Sequence, residues 1–262
     1  MKKKIKLIAV IPAHLESIRL KRKVLIDFFG IPMIEHVRRR VLNSNIFEDV
    51  YVASGDDEIL NIVEKWGGKI IKTFEKHLNG TSRVTEAVRN LDFTHSVIVQ
   101  GDEPLIKKEH LIKLAESINK NPSGDAWNSI SDLDRFEDLE NKNIVKASIN
   151  EKNKIIYIFR KTPSFAKPNN QFIYIKKIQG LIAFRKDVLK ALASLPESYG
   201  EKFESIEQLR IISNGFNLQG VMQIDQVPSI NEESDLDNFY DYLRKNKDQN
   251  KITQSLVNEY KK

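Results

Sequence analysis

The chain has 262 residues, with 42 lysines and arginines against 36 acids, a net charge of +6, five histidines and no cysteine. That length suits one α/β domain with an appendage, while the missing thiols exclude disulfides and thiolate-bound zinc and leave a hard cation on oxygen ligands as the metal chemistry in play. The cations are spread along the chain, densest at Arg38-Arg39-Arg40 in a helical pattern and without interleaved aromatic residues, so they read as solvated surface and an attraction for a small anion, not as a nucleic-acid track.

Met1-Lys2-Lys3-Lys4 leads into an apolar stretch too short to span a membrane, and the expectation is a cytoplasmic protein with no membrane partner. Ile5 to Ile11 is apolar at almost every position, as in a strand covered on both faces, and Pro12-Ala13 ends it. The loop from His14 to Lys23 then carries Ser17, Arg19, Lys21 and Arg22 at the strand's carboxyl end. Arginine forks, lysine charges and a hydroxyl there suit phosphate, although the glycine pattern of a P-loop is missing.

Met33, Ile34, Val37, Val41 and Leu42 recur at helical spacing. Asp49 to Ser54 reads as a strand, followed by Asp56 or Asp57 as the cap of a helix with the stripe Ile59, Leu60, Ile62 and Val63. Lys69 to Thr73 is a third strand. His77 to Arg83 then leads into a helix containing Val84, Ala87 and Val88, where amides at Gly80 and Thr81 suit either an anion or a base edge, or simply cap the helix.

Val97 to Gln100 is a fourth strand, running into Gly101-Asp102-Glu103-Pro104. A buried strand that ends in carboxylates delivers them to the mouth of a parallel sheet, which makes Asp102 the first candidate for a metal ligand. Leu111, Ile112, Leu114, Ala115 and Ile118 mark the next helix. Alternation of strand and helix from residue 5 to about 120 predicts an α/β fold with a mostly parallel sheet and helices on both faces, and the lack of GxGxxG argues against a dinucleotide dehydrogenase.

Beyond Gly124 the pattern changes. Ile144 to Ile149 and Lys154 to Phe159 alternate like a hairpin, and Lys161 to Asn170 reads as an arm leaving the core. Phe172 to Phe184 returns as one or two strands, followed by a helix at 206–213, a strand at 218–224 and a helix at 236–243. The reading is a single domain over 1–246 with a β-rich arm at roughly 155–200, and a polar tail from 247 to 262 that is loose or weakly helical.

Several pieces in this order carry a resemblance: Ile11-Pro12-Ala13 with Ser17, Arg19 and Lys23; Gly30-Ile31-Pro32-Met33-Ile34; His77 with Gly80-Thr81 and Arg83; Gln100-Gly101-Asp102-Glu103-Pro104; Asn141, Asn143, Val145 and Lys146; Arg160; and Glu207-Gln208-Leu209-Arg210. Over residues 5 to 243 the chain resembles the CMP-sugar synthetases, most of all the 3-deoxy-manno-octulosonate (Kdo) cytidylyltransferases. The resemblance implies a nucleotide-diphospho-sugar transferase fold, a homodimer formed partly through the arm, and CMP transfer from CTP to a 2-keto-3-deoxy sugar acid with pyrophosphate released. The product would be an activated sugar for lipopolysaccharide or capsule.

By position it implies that Ser17, Arg19 and Lys23 hold the CTP phosphates and that His77, Gly80, Thr81, Arg83 and Gln100 surround cytosine and ribose. Asp102 would ligate Mg²⁺, with Arg19 and Lys23 beside it as the catalytic set, and Arg160, Glu207 and Gln208 would face the sugar acid. The chain departs from the family in four places. Asn231 stands at the second metal-binding aspartate, with Glu232 and Asp225 as carboxylates that could compensate. Ile178 and Ile182 replace a histidine and a tyrosine of the sugar region, and Lys21-Arg22 replaces Pro-Gly, with His14 for an arginine. Asn79 and Ser82 replace a serine and an acid. These departures favour two alternatives: a different acceptor, such as a nonulosonic acid or amino-substituted Kdo, or a catalytically weakened nucleotide-binding homologue.

Overall fold

The computed structural model describes residues 4–17, 19–77 and 79–260. Met1-Lys2-Lys3, Ile18 of the basic loop, Leu78 beside His77 and the last two lysines lie outside the described residues. The elements are β1 Leu7–Pro12, β2 Asp27–Phe28, β3 Ile31–Pro32, α1 Met33–Leu42, β4 Asp49–Ser54, α2 Asp57–Lys65, β5 Lys69–Lys72, α3 Gly80–Ala87, β6 His95–Val99 and α4 Lys108–Lys120. They continue with β7 Ala126–Ser131, β8 Lys146–Ile149, β9 Ile155–Phe159, α5 Pro168–Tyr174, β10 Ile175–Arg185, α6 Lys186–Ala193, α7 Tyr199–Glu204, α8 Leu209–Ser213, β11 Leu218–Met222, α9 Asp235–Lys245 and α10 Lys247–Tyr260. The strands make a mostly parallel, mixed sheet flanked by helices, with β2 and β3 as a separate antiparallel pair.

The chain divides into two compact units. One takes Lys6–Asp92, Ile98–Ile112 and the chain from Val227; the other is mainly Phe93–Val97 and Lys113–Gln226. In the first, β1 pairs in parallel with β4, and β4 with β5, so their carboxyl ends lie at one edge. All six residues of β1 are buried, as its unbroken apolar run requires. Met33, Ile34, Val37 and Val41 of α1 and Ile59, Leu60 and Val63 of α2 fill the core beside the strands.

The arginine run does not form the solvated surface read from composition. Arg38 forks onto Glu35 at 2.6 and 2.7 Å and donates to Trp66 O at 3.1 Å, and Arg39 reaches Glu35 at 3.2 Å. Arg40 is buried, donating to Gln249 Oε1 at 2.8 Å and Thr253 Oγ1 at 2.7 Å. These acceptors lie on α10, the segment expected to be loose. That helix turns Gln249, Thr253, Leu256 and Val257 inward, and Val257 packs on Ile31 with Trp66 beside them. Four inward positions at i, i+4, i+7 and i+8 are a helical stripe, which the many polar residues of the tail obscured.

In the second unit β7 lies between β10, antiparallel, and β11, parallel. The sequence reading has no strand at 126–131, because Ala126-Trp127-Asn128-Ser129-Ile130-Ser131 is half polar, yet all six residues are buried. β8 and β9 form the expected antiparallel hairpin. The 161–170 segment leads into α5 and folds on itself: Gln171 takes the Thr162 hydroxyl at 2.8 Å and donates to Ala166 O at 2.6 Å. Phe165 and Ile173 remain exposed there.

Arg40 keeps a charge in a buried setting, and burial pushes its pKa down to about 10, partly countered by Tyr242. Thr253→Val keeps the shape and removes one acceptor. It should cost about 1.5–3 kcal/mol of stability in urea unfolding; a loss below a few tenths would show that Arg40 is not fastened through α10.

Candidate active site

At the carboxyl edge of the first unit the strands end in short polar loops that converge. Gly101 lies so near β1 that a Cβ on it would sit 3.2 Å from Pro12 O and 3.4 Å from Val24. A Cβ on Gly80 would meet Pro12 at 3.1 Å and the Gln100 amide at 3.3 and 3.4 Å. Glycine therefore lets the start of α3 close on Gln100, bringing together two of the residues assigned to the nucleotide, with Thr81 next in chain.

The basic loop after β1 is folded back upon itself. Ala13 N–H donates to Ala53 O at 2.9 Å, Leu15 N–H to Asp56 Oδ2 at 3.0 Å, and the Ser17 and Arg22 amides both reach Leu15 O, at 3.0 and 3.1 Å. The expectation is a cap at Asp56 or Asp57, and Asp56 is the residue at that position. It does stand before α2, but its side chain makes no cap bond; the carboxylate holds the loop instead. Arg22, at the resemblance's glycine position, takes the left-handed φ of 56° and is ion-paired with Glu58.

Lys23 follows in a short 3-10 turn, Lys23–Leu25. Its ammonium lies 2.5 Å from Asp102 Oδ2, 3.3 Å from Ile230 O and 3.5 Å from Asn231 Oδ1. The exposed Arg19 adds its Nη2 at 3.3 Å from Asn231 Oδ1. The loop is fixed from behind: Ile230 N–H donates to Asp102 O at 2.9 Å, and the Asn231 and Glu232 amides both donate to Asp235 Oδ2, at 2.7 and 3.0 Å. Glu232 turns its own carboxylate to Ser234. The structure thus gathers Arg19, Lys23, Asp102 and Asn231 from three distant segments.

These oxygens, a carboxylate, a carbonyl and an amide, are hard donors suited to a divalent cation. Among the described residues no group of three or more His, Cys, Asp or Glu side chains is placed to hold a metal. Asp102 and Asn231 are therefore the side chains that could hold one, and phosphate oxygens and water would have to complete its shell.

Arg83 and His77 sit on the adjoining loops. Arg83 Nη1 donates to Thr73 Oγ1 at 2.6 Å; burial lowers its pKa, and Asp56 and Glu86 oppose the shift. His77 Nε2 lies 2.6 Å from Glu86 Oε2, and that carboxylate also takes the amides of Phe74 at 2.8 Å and Glu75 at 3.3 Å. Burial alone would raise the Glu86 pKa, but the Phe74 amide, His77 and the Glu75 amide outweigh it and hold the carboxyl below its ordinary value. An ionised carboxylate only accepts, so Nε2 is the donor and, in the neutral ring, Nδ1 is left as an acceptor. Asn79 caps α3 by accepting from Ser82 N–H at 2.9 Å, so the substituted pair forms a working cap.

The residues expected to face the acceptor belong to the second unit. Arg160 donates to Lys142 O, Glu204 O and Ser205 O at 3.0, 2.8 and 3.2 Å, which leaves one hydrogen on each terminal nitrogen. Gln208 is half-buried, with Nε2 3.3 Å from Asn128 Oδ1, and Glu207 precedes it. Ile182 is buried opposite Asn128, and Ile178 is half-buried opposite Ile130. Sequence reasoning missed Asn128, Glu86 and the Ile230 carbonyl. A polar residue inside a buried strand was the one available signal for the first, and a backbone carbonyl leaves none.

With this geometry in place, comparison with known proteins is direct: residues 8–224 match the cytidylyltransferase family. The chain belongs to that family. A 3-deoxy-manno-octulosonate cytidylyltransferase of Chlorobium phaeovibrioides is 34% identical over 242 residues, covering 92% of this chain and 98% of the relative. One from Escherichia coli is 33% identical over 214 residues, covering 82% and 86%. Among solved structures, CMP:2-keto-3-deoxy-manno-octonic acid synthetase complexed with CTP superposes with a TM-score of 0.84 at 29% identity, over 95% of this chain and 99% of that one. These matches bear out the resemblance read from the motifs, and a nucleotidyltransferase is the enzyme class it belongs to.

The Glu86 anchor gives a pH signature. Because the folded carboxyl is held below its ordinary value of 4.5, its stabilisation is present above that pH and is lost as pH falls through the folded value. Glu86→Gln should lower stability by about 1–3 kcal/mol near neutrality, and the gap to the native chain should narrow in urea melts below that carboxyl's ordinary range. A pH-independent gap would show that ionised Glu86 is not the anchor.

Proposed function

We propose that this cytidylyltransferase moves CMP from CTP to the anomeric hydroxyl of a 2-keto-3-deoxy sugar acid, Kdo or a close relative. The observation that carries the reading is the convergence of Arg19, Lys23, Asp102 and Asn231 beside Gly80 and Gln100. It is supported by the naming of relatives that match nearly the whole chain. In the reaction, the anomeric oxygen forms a bond to the α-phosphorus, the α–β phosphoanhydride bond breaks, pyrophosphate leaves, and the hydroxyl proton passes to solvent.

The chain's own contribution is positioning and charge. Lys23 and Arg19 offset negative charge on phosphate oxygens, with Ser17 as a further donor. Gly80, Thr81, Arg83, Gln100 and the acceptor nitrogen of His77 seat the nucleoside. Arg160 offers its two remaining hydrogens to the acid's carboxylate, and Glu207 and Gln208 hold its hydroxyls. Asp102 and Asn231 would hold Mg²⁺, whose chemistry there would be to neutralise phosphate charge and to ease loss of the attacking hydroxyl's proton. The product is an activated sugar for surface polysaccharide such as lipopolysaccharide or capsule. The same reading places the enzyme in the cytoplasm as a homodimer.

A second acceptor class, an amino-substituted octulosonate or a nonulosonic acid, is favoured by Ile178 and Ile182, which bring no polar group where the resemblance has histidine and tyrosine. Pyrophosphate release with CTP and Mg²⁺ across Kdo, amino-Kdo and a sialic acid separates the two. Asp102→Asn should reduce kcat about 100-fold or more at saturating Mg²⁺; unchanged turnover would remove that carboxylate from the mechanism. Silence of the native enzyme with every acid, with CTP still bound, would favour a weakened homologue.

Asn231 brings an oxygen without a charge. Asn231→Asp should therefore lower the Mg²⁺ concentration giving half-maximal rate by about tenfold. No shift in the Mg²⁺ titration would mean that residue 231 does not touch the metal.

A further inference from the structure

β7 buries Asn128 completely, between Ile182 of β10 and Gly220 of β11. A polar side chain at such a place needs hydrogen-bond partners for each of its polar atoms. Asn128 Nδ2 donates to Ser129 O at 2.8 Å and to Gln179 O at 3.0 Å. Gln179 lies in the stretch where β10 slips register against β7, between Ile178 and Ile182. Carbonyl oxygens only accept, so these two bonds settle which end of the Asn128 amide is nitrogen.

With both Nδ2 hydrogens committed, Oδ1 acts as an acceptor, and it takes Gln208 Nε2 at 3.3 Å. Orientation is thereby passed from a fixed backbone to a half-buried side chain beside Glu207, at the start of α8. Gln208 keeps its nitrogen on Asn128 and its carbonyl oxygen as the other end. An oxygen there accepts a hydroxyl hydrogen and repels a carboxylate. The carboxylate would instead go to Arg160, whose terminal nitrogens each keep a hydrogen.

We propose that Asn128 is a positioning residue for the acceptor, holding the Gln208 amide so that its oxygen pairs with a hydroxyl of the sugar acid. The inference rests on the acceptor reading of Gln208 given above. A site that pairs a hydroxyl through a fixed oxygen discriminates against acids lacking that hydroxyl, so Asn128 is a source of selectivity without touching substrate.

A double-mutant cycle in steady-state kinetics tests it, with melting curves as a folding control. Asn128→Ala should raise the KM for the acceptor about tenfold and move the KM for CTP less than about twofold; on a Gln208→Ala background the same change should add less than about twofold. Gln208→Glu, which leaves the strand intact but cannot donate to Asn128 Oδ1, should lose as much acceptor affinity as Gln208→Ala. Full multiplication of the two losses, an equal shift in the KM for CTP, or a Gln208→Glu enzyme with the native acceptor KM would each overturn the proposal. Should Asn128→Ala fail to fold, the Gln208→Glu comparison decides. A native enzyme that transfers CMP to none of the 2-keto acids would overturn the functional reading and this inference together, whereas an active enzyme with independent effects would overturn this one alone.

Discussion

The ammonium of Lys23 in its cage of oxygens is the contact on which the loops at the carboxyl edge of the first unit depend. It joins the basic loop, the acidic loop after β6 and the 230–231 loop, segments separated by 79 and 207 positions in the chain. Lys23 and Asp102 are only 13% and 21% exposed, so neither charge has full access to water when its partner is removed. The bond from Ile230 N–H to Asp102 O ties the same two loops a second time through backbone. Oxygens arranged around an ammonium are also the kind of donor a hard divalent cation takes.

The departures from the family pattern are absorbed locally. At the lost glycine, Arg22 adopts the left-handed conformation itself, at a cost of about 1–2 kcal/mol, offset by its pair with Glu58 and by its amide bond to Leu15 O. Asn79 and Ser82 rebuild the helix cap as a reciprocal pair: the Ser82 amide donates to the Asn79 side chain and the Ser82 hydroxyl to Asn79 O. Asn231 keeps its oxygen toward Lys23 and Arg19, cations that only donate and therefore settle the orientation of that amide, while its Nδ2 faces the Ser229 hydroxyl. These substitutions at Arg22, Asn79, Ser82 and Asn231 therefore change charge or strain within loops that hold themselves together, whereas Ile178 and Ile182 bring no polar atom at all.

What was legible in sequence follows what the chain buries. β1, β4, α1 and β6 were readable because apolar residues recur at the period of the element, and Asp102 stood out as an acid ending an apolar run. β7 was invisible for the opposite reason: three of its six buried positions are asparagine and serine, and no hydropathy period survives. The tail failed similarly, since α10 is held as much by Gln249 and Thr253 on Arg40 as by Leu256 and Val257. Asp56 looked like a cap, and chain order supported that. Only the fold shows that Leu15, 41 positions earlier, claims its carboxylate.

Lys146 of the second unit is held differently from Lys23. Lys146 is fully buried and spends its ammonium hydrogens on the carbonyls of Asn141, Ile144 and Arg160, at 2.7, 2.9 and 2.5 Å. Burial pushes its pKa down to about 8, against the opposing pull of Asp138 and Glu140. Arg160 in turn holds the carbonyls of Lys142, Glu204 and Ser205, the last of these in a left-handed conformation two residues before Glu207. Carbonyl dipoles fix the geometry of a cation without cancelling its charge, as a carboxylate would. The loop carrying Glu207 and Gln208 is thus shaped by cations whose hydrogens go to backbone carbonyls.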